Sequence, residues 1–192
     1  MNTTKKKERL VDAFSDRLSP EDYRLYLKLN QSLLVFAAQK LYSMHNVKAM
    51  NDFPKLTLEE KLKIRDGLME KICLIDEFVK SNPYSFTVPE LEIIKSWKNY
   101  VSGAFFVVKY TAEGAFFLEE SNKNPKAYQV LALGTPLSEV ISIPPPTRVT
   151  AVLLPFKGRI IYDGMIKTDR FLFGSGIARS IRAACDRAIM EH

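Results

Sequence analysis

Histidine, cysteine and tryptophan are scarce in this chain of 192 residues, which holds two, two and one of them. With histidine confined to His45 and His192, neither a zinc site nor a histidine-based catalytic triad can be assembled. His45 falls at the expected end of a helix, where the dipole favours a cation, and reads as an exposed capping residue. Cys73 and Cys185 sit in the apolar stripes of separate expected helices, with no second cysteine near either. Both are expected as small buried apolar residues, linked by neither a disulfide nor a metal.

Long hydrophobic runs are missing as well. The longest, residues 33–38 and 104–108 among them, fall far short of the ~20 residues of a membrane span. The first residues pass from a basic stretch into an amphipathic one with no apolar signal core. A cytoplasmic protein with no membrane association is the expectation. There is no serine elbow, no phosphate loop ending in Gly-Lys-Ser/Thr and no internal repeat. No cofactor is implied.

What is present is ordinary globular composition, with 46% hydrophobic and 26% charged residues, in a chain long enough for one substantial core or two modest ones. The first half carries helix punctuation. Residues 5–18 are expected to form a short first helix with Leu10, Val11, Phe14 and Leu18 on one side. Ser19-Pro20-Glu21-Asp22 then supplies a cap, a proline for the first turn and acids at the positive dipole end. The helix it opens is expected to reach Met44, with Tyr23, Tyr26, Asn30, Leu33, Ala37 and Leu41 on its inner stripe. Residues 33–38 are apolar on nearly every side, which calls for cover from other helices or from a second subunit. Thr57 and Glu60 make a capping box for a helix running to Lys80, with Leu58, Leu62, Arg65, Leu68 and Ile75 at helical spacing. A shorter helix starts at Thr87 and carries Trp97 as a core anchor.

At Tyr100 the period turns from helix to strand. Residues 101–110 and 115–118 flank a tight turn at Ala112-Glu113-Gly114, and residues 127–133 read as a third strand. Residues 137–141 suggest a helical turn before the stiff Pro144-Pro145-Pro146 connector. Residues 149–154 and 159–166 form the clearest hairpin around Pro155-Phe156-Lys157-Gly158, with Leu154 expected opposite Arg159. A last helix places Ile177, Ile181, Cys185 and Ile189 on one face. The order gives an α+β protein: N-terminal helices, an antiparallel sheet of about five strands that can curl into a partial barrel, and a C-terminal helix. Residues 1–82 are expected as a helical region and 83–192 as the β region, with a shared core open between them.

Three sets of residues could carry function. Gly174, Ser175 and Gly176 precede the last helix, with Arg179 and Arg182 one and two turns on, a pattern that can hold an anion on backbone amides. Arg148, Lys157, Arg159, Lys167 and Arg170 interleave with Phe156, Tyr162, Phe171 and Phe173, as cations and aromatics would for single-stranded nucleic acid. Residues 140–192 hold eight basic and four acidic side chains of a chain whose net charge is +6, which suits a polyanion. Asp163-Gly164 puts a carboxylate in an apolar strand, where it must be paired or exposed. A bulge or turn with a solvated aspartate is the simpler reading there, and carboxylate chemistry at Asp163 the sharper one.

The stretch Val149-Thr-Ala-Val-Leu-Leu-Pro-Phe-Lys-Gly-Arg-Ile-Ile-Tyr-Asp-Gly, following Ser96-Trp97-Lys98-Asn99-Tyr100-Val101-Ser102-Gly103, resembles a pattern in uncharacterised prokaryotic proteins. The resemblance implies a prokaryotic origin and a β half that acts as one unit. It carries no catalytic or binding residues across. The expectation is a non-catalytic binding or regulatory module whose helical half serves partner binding or self-association as a homo-oligomer, and whose β half offers a ligand- or partner-binding surface. Nucleic-acid binding by the basic C-terminal third and an enzyme at Asp163 are the alternatives.

Overall fold

The computed structural model describes residues 16–44, 47, 49–120 and 124–191. Residues 5–15 and His45 lie outside the described residues. The three described residues of the expected first helix, 16–18, form a turn and an isolated bridge rather than a helix. Leu18 N–H donates to the Ala132 carbonyl and Ala132 N–H to that of Asp16, which stitches this segment to the end of a barrel strand.

Helix α1 (Pro20–Tyr42) starts where its cap dictates: the Asp22 amide donates to Ser19 Oγ at 3.1 Å, with proline in the first turn. Leu33 to Ala38 are all buried. Helices α2 (Leu58–Glu70), α3 (Cys73–Ser81) and α4 (Val88–Ser96) pack against α1, so the wide apolar band is covered within one chain. The helix expected from residue 57 to 80 is divided in two at Lys71 and Ile72. In an unbroken helix the Met69 carbonyl would accept from the amide of residue 73; here Tyr100 Oη donates to it at 3.4 Å. The turn is closed by tighter bonds, Leu74 N–H to Lys71 and Ile75 N–H to Ile72. It lets α3 bring Phe78 edge-on to Phe36 of α1. Cys73, expected inside, opens α3 at this break and is exposed, whereas Cys185 is buried.

Seven strands form one sheet: β1 (Val101–Thr111), β2 (Gly114–Glu119), β3 (Lys126–Leu131), β4 (Thr147–Phe156), β5 (Arg159–Tyr162), β6 (Lys167–Thr168) and β7 (Ile189–Glu191). The first five pair in the order β1-β2-β3-β5-β4, and β1 pairs again with β4, which closes a barrel. The sheet is mixed rather than antiparallel, because β3 runs parallel to both β5 and β7. Between β3 and β4 the chain crosses the barrel through the short helix α5 (Leu137–Val140), and that crossover brings β5 alongside β3 in the same direction. Phe105, Phe117 and Tyr128 meet edge-to-face inside the barrel. On the outer face, Val108, Leu118 and Ala127 are covered by Ile181 and Cys185 of the last helix, α6 (Ser175–Arg187).

The β4–β5 hairpin turns in two residues, not four. Lys157 and Gly158 both have positive φ (50° and 75°), the type I′ geometry that matches strand twist. Phe156 therefore faces Arg159, and Leu154 faces Ile161. The register is shifted by two from the expected one, so each residue keeps its face. Lys157 and Arg159 both ion-pair with Asp22, which fastens this turn to the start of α1. One buried apolar cluster runs from Leu18 and Tyr26 through Trp97 into the barrel. Trp97 is its junction: its Nε1–H donates to the Pro155 carbonyl at 3.1 Å.

Candidate functional site

Where β5 ends, the chain has to leave the barrel, and Gly164 (φ 87°) supplies the turn. The residue before it, Asp163, is held by its own amide, which donates to the Val152 carbonyl. Its carboxylate is not solvated: only 5% of Asp163 is exposed. Oδ1 accepts from the Met165 amide at 3.0 Å, and Oδ2 accepts from Arg65 Nη1 at 3.1 Å. Arg65 also reaches the Met165 carbonyl, and its Nε donates to Asp66. The pair joins α2 to the barrel across 98 positions of sequence.

Burial outweighs this pairing at Asp163, whose pKa is pushed up to about 6. At Arg65 burial acts downward, but Asp163 and Asp66 outweigh it and the pKa rises. Beside the pair lies a cavity of about 310 Å³ between α1, the chain after β3 and the chain after β5. Tyr23, Tyr26 and Asn30 come from α1, Tyr162 and Asp163 from the end of β5, and Gly134 and Thr135 from the turn after β3. Gly134 is required: a Cβ there would sit 2.9 Å from the Tyr23 ring. Burial, with the nearby Tyr23 and Asp163, pushes Tyr162 up to about 12. Burial first, and then the Asp163 charge, hold Tyr26 well above the ordinary tyrosine value. Both phenols stay neutral at pH 7 and can donate.

Tyr26 is the anomaly. Its ring is wedged edge-on between Trp97 (5.9 Å) and Phe156 (6.1 Å). Its hydroxyl is buried with no hydrogen-bond partner among the described residues. An unmet buried hydroxyl costs about 1–3 kcal/mol. Tyr26→Phe is therefore expected to stabilise the ligand-free protein by about 1 kcal/mol, read as a higher urea midpoint at unchanged slope. A lower midpoint would mean that the hydroxyl is already satisfied.

The other candidate residues are spread over the surface and the core. Gly174, Ser175 and Gly176 open α6 and are exposed, with no side-chain cap; Arg179 and Arg182 are exposed, and Arg182 donates to the Pro145 carbonyl. Arg148 is engaged by Glu120 and Asp169, and Lys157 and Arg159 by Asp22. Phe156 is fully buried and presents no ring to solvent. Lys167 and Arg170 are exposed. Among the described residues no three His, Cys, Asp or Glu side chains are grouped to hold a metal ion. The structure thus brings together Asp163 and residues not singled out as a site, Arg65, Tyr26 and Asn30. Their signal was positional: each interrupts an otherwise apolar stripe.

Compared with family models, curated proteins and solved structures, the chain matches none.

Proposed function

We propose that this protein is a non-catalytic binding module whose ligand is a small polar molecule held in the cavity beside Asp163. The observation that carries this reading is a cavity of ligand size lined in part by Tyr26, whose buried hydroxyl has no hydrogen-bond partner among the described residues. Around it the walls offer donors and acceptors (Tyr23, Tyr162, Asn30, Gln31 and Thr135) and apolar surface from Leu27, Phe53 and Leu133. Arg65 is shared between Asp163 and Asp66, and Lys61 lines the cavity, so the walls suit a polar ligand with several hydroxyl, amide or ring-nitrogen groups. The Asp163 oxygens are both engaged, by the Met165 amide and by Arg65, which favours binding over turnover.

A nucleic-acid role has less support. Some five-stranded barrels bind oligonucleotides on the outer face of their second and third strands. Here Leu118 of β2 and Ala127 of β3 lie beneath α6 on that face.

The test is a thermal-shift screen of sugars, polyols, nucleosides and amides, with hits confirmed by calorimetry. Val140 lines the cavity and is 39% exposed, so Val140→Trp blocks the mouth without disturbing the core. A compound that stabilises the wild type and not Val140→Trp is the expected result. Equal shifts in both proteins, or no hit in any class, would overturn the reading.

A further inference from the structure

Six large apolar side chains are exposed among the described residues. Three of them, Phe171 (47%), Leu172 (74%) and Ile177 (58%), fall within seven consecutive positions at the start of α6. The stretch is anchored rather than loose: Phe173 packs on Phe106 of β1 at 5.6 Å and on Phe171 at 5.0 Å. Ala178, Ile181 and Cys185 fill the inner stripe of α6, so Ile177 is left outside it.

Positive charge flanks the same stretch in sequence. Lys167, Arg170 and Arg179 are exposed. The one acid between Gly164 and Cys185 is Asp169, and it is ion-paired with Arg148. The stretch therefore combines aliphatic surface with cations that have no ion-pair partner among the described residues. Bases of a nucleic acid stack on aromatic rings and gain little from Leu172 or Ile177. A bilayer bearing anionic lipid meets both features, because apolar side chains enter the headgroup boundary while cations meet the negative surface.

We propose that residues 167–179 dock peripherally on an anionic lipid surface, with Phe171, Leu172 and Ile177 inserting and Lys167, Arg170 and Arg179 facing the headgroups. No helix among the described residues is long and apolar enough to cross a membrane. Docking requires no crossing, so the expectation of no membrane association, which rested on the absence of a span, does not address it.

Cosedimentation of the full chain with phosphatidylcholine vesicles, with and without phosphatidylserine, tests the proposal. Binding is expected to be about tenfold stronger with phosphatidylserine and to weaken with salt. Leu172→Ser with Ile177→Ser should cut it about tenfold although no charge changes. Arg170→Gln with Arg179→Gln should remove the phosphatidylserine preference. All four positions are exposed, and circular dichroism checks the fold of each variant. Equal binding to both vesicles, binding to neither, or full binding by the Leu172→Ser/Ile177→Ser variant overturns the proposal. So does tighter binding to a single-stranded oligonucleotide than to the anionic vesicles, which would make this a nucleic-acid surface.

Discussion

Arg65→Met is expected to destabilise the protein by about 3–5 kcal/mol at pH 8, the cost of leaving a buried carboxylate without its partner. The Asp163 side chain is 2% exposed and that of Arg65 12%, so water cannot take over the lost contact. The loss should depend on pH in a defined direction. Asp163 has a folded pKa near 6 against an ordinary value of 3.8, so the folded state holds more protons than the unfolded one between those values. Its contribution is therefore most favourable below pH 4 and is lost as pH rises through 6. Removing Arg65 takes away a charge and a hydrogen bond that hold this pKa down, so the window moves higher. The penalty of Arg65→Met should then shrink between pH 8 and pH 5, where a protonated Asp163 no longer needs the cation. Asp163→Asn in the same chain should recover part of the loss at pH 8. Urea unfolding at the two pH values decides it. An equal penalty at both, or a double variant as weak as Arg65→Met, would show that Arg65 acts through packing and not through its charge.

The two ends of that pair were both visible as irregularities in the sequence, although their pairing was not. Arg65 falls on the apolar stripe of α2, and Asp163 interrupts an apolar strand. Each is costly where it stands, and the structure resolves both by placing them together. Asn30, Tyr23 and Tyr26 interrupt the inner stripe of α1 in the same way, and all three line the cavity. Local pattern shows that a buried polar group needs a partner; only the closure of the barrel against α1 and α2 says which.

The same limit separates what was legible in the fold from what was not. Caps and periodicity placed α1, α4 and the first hairpin, because those depend on neighbours in sequence, and they set the second hairpin two residues out of register. The break at Lys71 depends on the Tyr100 hydroxyl, 31 positions from the carbonyl it holds. The parallel pairing of β3 with β5 depends on a crossover through α5. Neither leaves a local trace. Within the basic interleaved set, Phe156 has the spacing of a surface aromatic, yet it is buried and forms one wall around Tyr26.

Trp97→Ala carries the second large expected effect, about 4 kcal/mol, in the range for a fully buried large aromatic cut back to alanine. The change empties the space between Tyr26 of α1 and β4, and it leaves the Pro155 carbonyl without the indole donor. Because Trp97 stands where the helices meet the barrel, the same variant asks whether residues 1–82 and 83–192 unfold as one unit. The continuous buried cluster around Trp97 leads to a definite expectation. Amide exchange in α1 and α2 should speed up together with that in β1 and β4, by a common factor of about 10³ if all open through global unfolding. Acceleration in the barrel without acceleration in α1 would instead mark the helical region as a separate domain. The cavity beside Asp163 would then lie between two independently folding parts. In that case a ligand bound there should strengthen their association, whereas in a single cooperative core it should raise the stability of both by the same amount.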